Sequence, residues 1–306
     1  MSLDRPAVTI GLPFFNAART LREALQSIFA QTHQDWELLL VDDGSRDGSL
    51  ALARAVDDPR VRVLSDGVNR GVVYRLNQMA ELARAPYLCR LDDDDLMHPR
   101  RIEAQVAYLE AHPDVDVVSS PLISIDEAGA IRGIRGAGAA RVGDPVSALR
   151  GCPLAQGAAM GRTRWFAENR YDPRYLRAED HELWCRTAPH SRFAVTDEAY
   201  LFCREPAEVN LRKYVLSCRT DRRIYRQYGP ARVGRRGTAV LVAQSFAKEG
   251  LYRAACRLGL AGRLVARRNR PEPPEAVARA AAVLEQVRRT AVPGLDGEPA
   301  RRRTQG

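Results

Sequence analysis

Residues 91–95 read LDDDD, four consecutive carboxylates at the end of an apolar run, shortly before Pro99. Like charge crowded this way is unfavourable unless a cation sits among the acids. Two further polar clusters also follow apolar runs: Asn16 after VTIGLPFF, and Asp42 with Asp43 after WELLLV. A hard divalent cation, held by one or two carboxylates and by substrate phosphates, is the chemistry this pattern suggests. Strand alternation predicts that Asp92 and Asp94 face one site and Asp93 the opposite side. Asp95 then falls near the start of the helix that Pro99 helps to open, where a carboxylate is favourable. The plainer alternatives are that the four acids only cap and solvate a turn, and that Asp42 and Asp43 cap the next helix from an Asp-Gly turn.

The elements that must position these acids alternate regularly. Strands are predicted at VTIGL (8–12), WELLLV (36–41), VRVL (61–64) and APYLCRL (85–91), with helices over 17–31, 49–56, 72–83 and 99–112. DVVSSPLISID (116–126) reads as extended. Such alternation implies an α/β fold with a mostly parallel sheet flanked by helices, and ligands bind such sheets at the carboxyl ends of the strands. Residues 127–157, rich in glycine and arginine, read as a flexible connection. A helix over 178–188 and strands in RFAV and EAYLFC follow. From residue 209 the pattern is helical, over 209–228, 238–249, 252–267 and 274–290, with PEPP (271–274) as a hinge. The expected division is a catalytic domain over 1–207, split at 125 into a nucleotide half and an acceptor half, and a helical extension over 208–306 with a basic tail.

Composition narrows the classes. The chain has 306 residues and a formal charge of +9, carried almost wholly by arginine, with lysine only at Lys213 and Lys248. Basic residues gather late, in LVARRNR and RRRTQG. A solvated, compositionally biased surface is the first reading, peripheral contact with an anionic membrane the second, and nucleic-acid binding the last. Six scattered cysteines without a CxxC pair suggest reduced thiols and argue against zinc. No apolar run is long enough to span a bilayer, and the opening MSLDRPAVTIGLPFF lacks a signal-peptide layout, so a cytoplasmic chain is expected.

PFFNAARTLREALQSIFAQTHQDWELLLVDDGSRDGS, followed by NRGVVYRLNQMAELARAPYLCRLDDDDLMHP, resembles the nucleotide-sugar half of the glycosyltransferase family 2 enzymes. The resemblance covers residues 7 to 205 and implies a GT-A fold and transfer with inversion from a nucleotide sugar. It implies that Pro13, Phe15 and Asn16 line the base, that Asp43 with Asp42 beside it hydrogen-bonds the base, and that Arg70 approaches phosphate. Asp92 and Asp93 match positions that face ribose or metal-bound water, and Asp94, with Asp92, the divalent metal (manganese or magnesium). AEDHELWCR (178–186) matches the family's acidic pair before an aromatic residue and an arginine. The resemblance makes Asp180 the base that deprotonates the acceptor hydroxyl, with Glu179 and Trp184 in support. Two stretches depart from the family: Gln156-Gly157-Ala158 stands where relatives often have His-Pro-Thr, and YLFCREPAEVN carries no histidine metal ligand. The implied donor is UDP-linked by family habit, and the implied acceptor a saccharide or lipid-linked glycan in bacterial surface polysaccharide assembly. The helical extension is read as packing over the domain, as a dimer interface, or as a peripheral membrane contact. A sugar nucleotidyltransferase and a catalytically inactive binding module are the competing functional readings.

Overall fold

The computed structural model describes residues 6–136, 144–151, 154–205, 210–266 and 269–296. The first half runs β1 (Val8–Phe14), α1 (Leu21–Phe29), β2 (Trp36–Asp42), α2 (Ser49–Ala55), β3 (Val61–Ser65), α3 (Val72–Leu82) and β4 (Tyr87–Arg90). It continues through β5 (Leu96–Met97), α4 (Arg101–Ala111), β6 (Val117–Ser119) and β7 (Leu122–Ile125). The second half holds β8 (Ile131–Arg135), α5 (Pro145–Arg150), a 3-10 turn (Gln156–Ala158), β9 (Met160–Arg162), α6 (Thr163–Glu168), α7 (Glu179–Thr187), β10 (Phe193–Val195) and β11 (Leu201–Arg204). Helices α8 (Leu211–Arg257), α9 (Ala261–Ala266) and α10 (Pro274–Arg288) close the described chain.

Every residue of β1 and β2 is buried, as apolar runs covered on both faces require. The main sheet has the order β10-β6-β9-β4-β1-β2-β3. Strand β1 pairs in parallel with β2 and β4, and β2 with β3; β9 runs antiparallel between β4 and β6. Phe14 lies opposite Asp42, and Gly11 opposite Arg90, so the carboxyl ends of three neighbouring strands open on one rim. A smaller sheet, β5-β11-β7-β8, stands beside that rim and receives the chain as it leaves the acidic turn. One core joins α1 and α4 to one face of the main sheet, and a second joins α3, α6 and α7 to the other.

Three expectations change. The stretch 127–157 is not one flexible connection: Ile131–Arg135 pairs with β7, and Asp144 caps α5 by accepting from the amides of Val146 and Ser147. Within that stretch, 137–143 and 152–153 lie outside the described residues. The helices expected at 209–228 and 238–249 are limbs of α8, which turns back at Gly234 (φ 72°), and the second limb runs on to Arg257 without the expected break. The limbs form an antiparallel hairpin, with Tyr214 stacked on Tyr252 at 3.9 Å and Ser245 Oγ donating to the Cys218 carbonyl at 3.2 Å. A positive φ suits glycine, which explains why the reversal falls there and not at Pro230. Finally, the acidic residues do not extend β4, which ends at Arg90.

Candidate active site

At the rim, Phe14 ends β1 and the chain turns through Asn16, a non-glycine residue at φ 53°. The Asn16 amide donates to Ser45 Oγ at 3.1 Å, and its Oδ1 accepts from the Arg46 amide at 2.8 Å. These bonds lock the β1 turn to the β2 turn. Pro13 is buried within β1. Phe15 is 45% exposed, so its ring lies outside the core.

Asp42 is fully buried, accepting from the Ser45 amide at 2.9 Å and from Ser65 Oγ at 2.7 Å. Burial alone would raise its carboxyl, but these hydrogen bonds outweigh it and hold the group below the usual range. Asp43 accepts from the amides of Arg70 (2.8 Å) and Gly71 (3.0 Å) and from Nε of buried Arg75 (2.9 Å). Arg75 also reaches Asp66 at 2.6 Å. Asp43 therefore shapes the loop carrying Arg70, whose guanidinium lies 2.7 Å from Asp66 and over the Tyr74 ring.

The four acids form a turn, closed by the Asp95 amide on the Asp92 carbonyl at 3.3 Å, and their side chains go four ways. The alternation expected of Asp92, Asp93 and Asp94 does not apply, because alternation belongs to a strand. Asp92 Oδ1 accepts from Nη2 and Nε of Arg90 at 2.7 and 3.1 Å. Asp93 Oδ2 accepts from the Phe15 amide at 3.1 Å and so joins the acidic turn to the β1 turn. Asp94 is exposed. Asp95 is buried and accepts from the Arg204 amide at 2.9 Å, so it supports β11 and does not cap the helix after Pro99. Burial and the neighbouring acids push Asp93 up to about 6 and Asp95 well above the usual range. The protein packed around the turn and the charge of Asp92 also raise Asp94. Burial and mutual repulsion thus work against charge on these crowded acids, although Arg90 pairs with Asp92.

Asp180 enters from the far side. Helix α7 starts at a left-handed Ala178 (φ 52°), and Asp180 Oδ1 accepts from the His181 amide at 2.8 Å. Asp92, Asp95, Gln156, Gly157 and Asp180 line one cavity of about 410 Å³ between the acidic turn and α7. Its tightness is visible at Gly157, where a Cβ would stand 3.0 Å from Asp92 Oδ2 and 3.3 Å from Asp95 Oδ2. Burial and the charge of Asp180 push Glu179 up to about 7 against the pull of Arg90. Trp184 is fully buried, stacked on Trp165 at 5.9 Å and edge-on to Phe193 at 5.3 Å, which fixes α7 against the sheet.

The outer side of α7 is held by α8. His181 is clamped between Asp221 (2.9 Å) and the Ala148 carbonyl (3.1 Å), and the Tyr228 hydroxyl donates to Glu182 at 2.6 Å. Burial opposes a charge on His181, but the Asp221 bond outweighs it and pushes the imidazole up to about 10. The sequence reading named neither Asp221 nor the arginines Arg75, Arg90 and Arg204. For Arg90 a signal existed, since it lies two residues before Asp92 on the same apolar run. No comparable signal marks Asp221, 40 residues from its partner.

Among the described residues, no three His, Cys, Asp or Glu side chains converge as a ready metal cage. Asp92 and Asp94 still suit a cation that takes one or two protein carboxylates and completes its shell with phosphates and water. The crowding of acids in that turn is what such an ion would relieve.

The profile of glycosyl transferase family 2 matches residues 9–172. The putative glycosyltransferase EpsE of Bacillus subtilis (strain 168) is 36% identical over 187 residues, which is 59% of this chain and 66% of EpsE. The bifunctional glycosyltransferase pgtA of Dictyostelium discoideum is 31% identical over 136 residues, 39% of this chain and 18% of pgtA. The chain thus spans just under two thirds of EpsE and far less of pgtA. Among solved structures, S. aureus TarS 1–349 in complex with UDP superposes with a TM-score of 0.54 at 16% identity, over 78% of this chain and 70% of that one. The mannosyltransferase PcManGT from Pyrobaculum calidifontis, in complex with GDP-Man and Mn2+, gives 0.56 at 17% identity, over 92% and 86%. These two likenesses are of fold. With the parallel rim, the acidic turn and the family match together, the chain belongs to glycosyl transferase family 2 and has the GT-A fold.

Proposed function

We propose that this protein is an inverting glycosyltransferase that moves a sugar from a nucleoside-diphosphate donor to an acceptor hydroxyl. The observation that carries this reading is the single cavity lined by both Asp92 and Asp180. Phe15, Asn16 and Asp43 frame the base end of the donor, with Arg70 toward its phosphates, and fully buried Asp42 supports that turn from behind. Asp180, held by a helix with a fully buried tryptophan, takes the acceptor proton as its oxygen attacks the anomeric carbon. Glu179, pushed up to about 7, is partly protonated near pH 7, which lowers the negative charge beside Asp180. A divalent cation, manganese or magnesium, would be held by Asp92 and Asp94, and when bound it neutralises charge on the departing diphosphate. The solved relatives support a nucleotide-linked donor: TarS is described with UDP and with UDP-GlcNAc, and PcManGT with GDP-Man and Mn2+. UDP is the first nucleotide to test. The proposed acceptor is a saccharide or lipid-linked glycan of bacterial surface assembly.

The second limb of α8 supports a membrane-side location. Val240, Ala243, Ala247, Leu251, Ala254 and Leu258 recur at three- and four-residue spacing and are all exposed, Leu251 by 55% and Leu258 by 70%. This stripe lies away from Thr238, Ser245 and Tyr252, which face the first limb. Residues 235–258 carry five cations (Arg235, Arg236, Lys248, Arg253, Arg257) against one acid, Glu249. A second copy would bring like charge against like charge, whereas an anionic lipid surface complements both the stripe and its arginines. No helix among the described residues is long and apolar enough to cross a membrane.

The test is product formation from UDP-glucose, UDP-N-acetylglucosamine and GDP-mannose with manganese or magnesium, scored as release of the nucleoside diphosphate. Turnover of one donor is expected. Absence of both release and binding across the panel contradicts the reading.

A further inference from the structure

Gln156 opens the 3-10 turn between α5 and β9, and its side chain is only 9% exposed. It lines the cavity shared by Asp92 and Asp180. The turn itself is fully tied down. The Ala155 carbonyl accepts from Ser119 Oγ at 2.9 Å, the Ala158 carbonyl from Gln105 Nε2 at 2.8 Å, and the Gln156 carbonyl from the Ala159 amide at 3.0 Å. By contrast, Gln156 Nε2 is buried with no hydrogen-bond partner among the described residues. The Tyr171 phenol interacts with the same amide, which pulls the phenol down against the upward push of burial, but it does not reach full hydrogen-bond geometry with Nε2. Buried donors are normally paired, so an unpaired one on a rigid turn in a cavity wall points to an acceptor that arrives with a ligand.

The surroundings decide what kind of acceptor. At the next residue, Gly157, the carboxylates of Asp92 and Asp95 come within 3.0 and 3.3 Å of where a Cβ would stand. A phosphate oxygen placed here without an intervening cation would meet those acids and be repelled. A hydroxyl fits both sides, because its oxygen accepts from the amide while its hydrogen donates to a carboxylate. We propose that Gln156 Nε2 is a carbohydrate-hydroxyl donor, a specificity-determining contact for a sugar held between Asp92 and Asp180. The inference rests on the glycosyl-transfer reading and adds a residue to it. The shared chemistry is a sugar hydroxyl, whether of the transferred sugar or of the acceptor.

The test compares wild type with Gln156→Met, which keeps length and removes the donor, and with Gln156→Glu, which keeps shape and replaces the donor by an acceptor. Three quantities are read: affinity for UDP or GDP alone, hydrolysis of the nucleotide sugar that wild type turns over, and transfer to acceptor. Both variants should keep nucleoside-diphosphate affinity within about twofold, and Gln156→Met should melt no lower than wild type, because it removes an unpaired buried donor. If the hydroxyl belongs to the donor sugar, kcat/KM falls about 5- to 20-fold in both hydrolysis and transfer; if it belongs to the acceptor, transfer alone falls by that factor. Hydrolysis and transfer both within twofold of wild type in either folded variant overturn the assignment while leaving glycosyl transfer standing. A wild-type protein that turns over no nucleotide sugar defeats both.

Discussion

Asp221 Oδ1 lies 2.9 Å from His181 Nδ1 and ties the helix of Asp180 to the C-terminal hairpin. The imidazole is raised to about 10 from an ordinary value near 6.5. A raised folded-state value means that the ion pair contributes fully below about pH 6.5 and is lost progressively as pH rises toward about 10. Asp221→Asn should therefore cost about 2–3 kcal/mol near pH 6, less than a wholly buried pair because Asp221 is partly exposed. Urea melts of both proteins from pH 6 to 10 check this, and the gap between them should shrink across the series.

Asp180→Asn keeps the shape of the side chain and removes the proposed base. Transfer should fall about 10²- to 10⁴-fold in kcat, with the affinity for nucleoside diphosphate unchanged. Near-normal turnover in steady-state kinetics would move the base role elsewhere.

Phe15→Ala separates a base-stacking ring from a structural one. The ring is half exposed, so thermal stability should change by no more than about 1 kcal/mol, while nucleotide affinity falls by about 1–3 kcal/mol. Calorimetric titration and a melting curve on the same sample read both numbers.

On the hairpin, Leu251→Glu with Leu258→Glu should abolish co-sedimentation with phosphatidylglycerol-containing vesicles and leave transfer to a water-soluble acceptor intact. Neutral phosphatidylcholine vesicles should bind wild type far more weakly. Loss of a dimer in sedimentation equilibrium, with vesicle binding unaffected, would assign the stripe to a second copy instead.

The first half of the fold was legible in the sequence because its acidic clusters follow long apolar runs, and β1, β2 and β4 end within a residue of where those runs end. The internal geometry of LDDDD was not legible. Alternation assumes a strand, and here the chain leaves β4 at Arg90 and turns, so neighbouring acids are set by partners as distant as Phe15 and Arg204. The glycine-rich stretch concealed β8 for a related reason: Gly133 weakens the local strand signal, and pairing with β7 supplies the order. The hairpin reversal at Gly234 and the buried donor of Gln156 both depend on tertiary neighbours that no local pattern reveals. Phe15, Asp42, Asp43 and Asp92 to Asp95 are brought to one rim, and Asp92, Asp95 and Asp180 to one cavity within it.

The most direct test of the whole account is a calorimetric titration of UDP and GDP with manganese and with chelator, on wild type, Asp92→Asn and Asp94→Asn. One nucleotide should bind wild type at least about tenfold more tightly with manganese, and both variants should lose that metal-dependent gain while still folding. Equal binding with and without metal, undisturbed by either substitution, would contradict the claim that the acidic turn holds the donor's diphosphate through a cation.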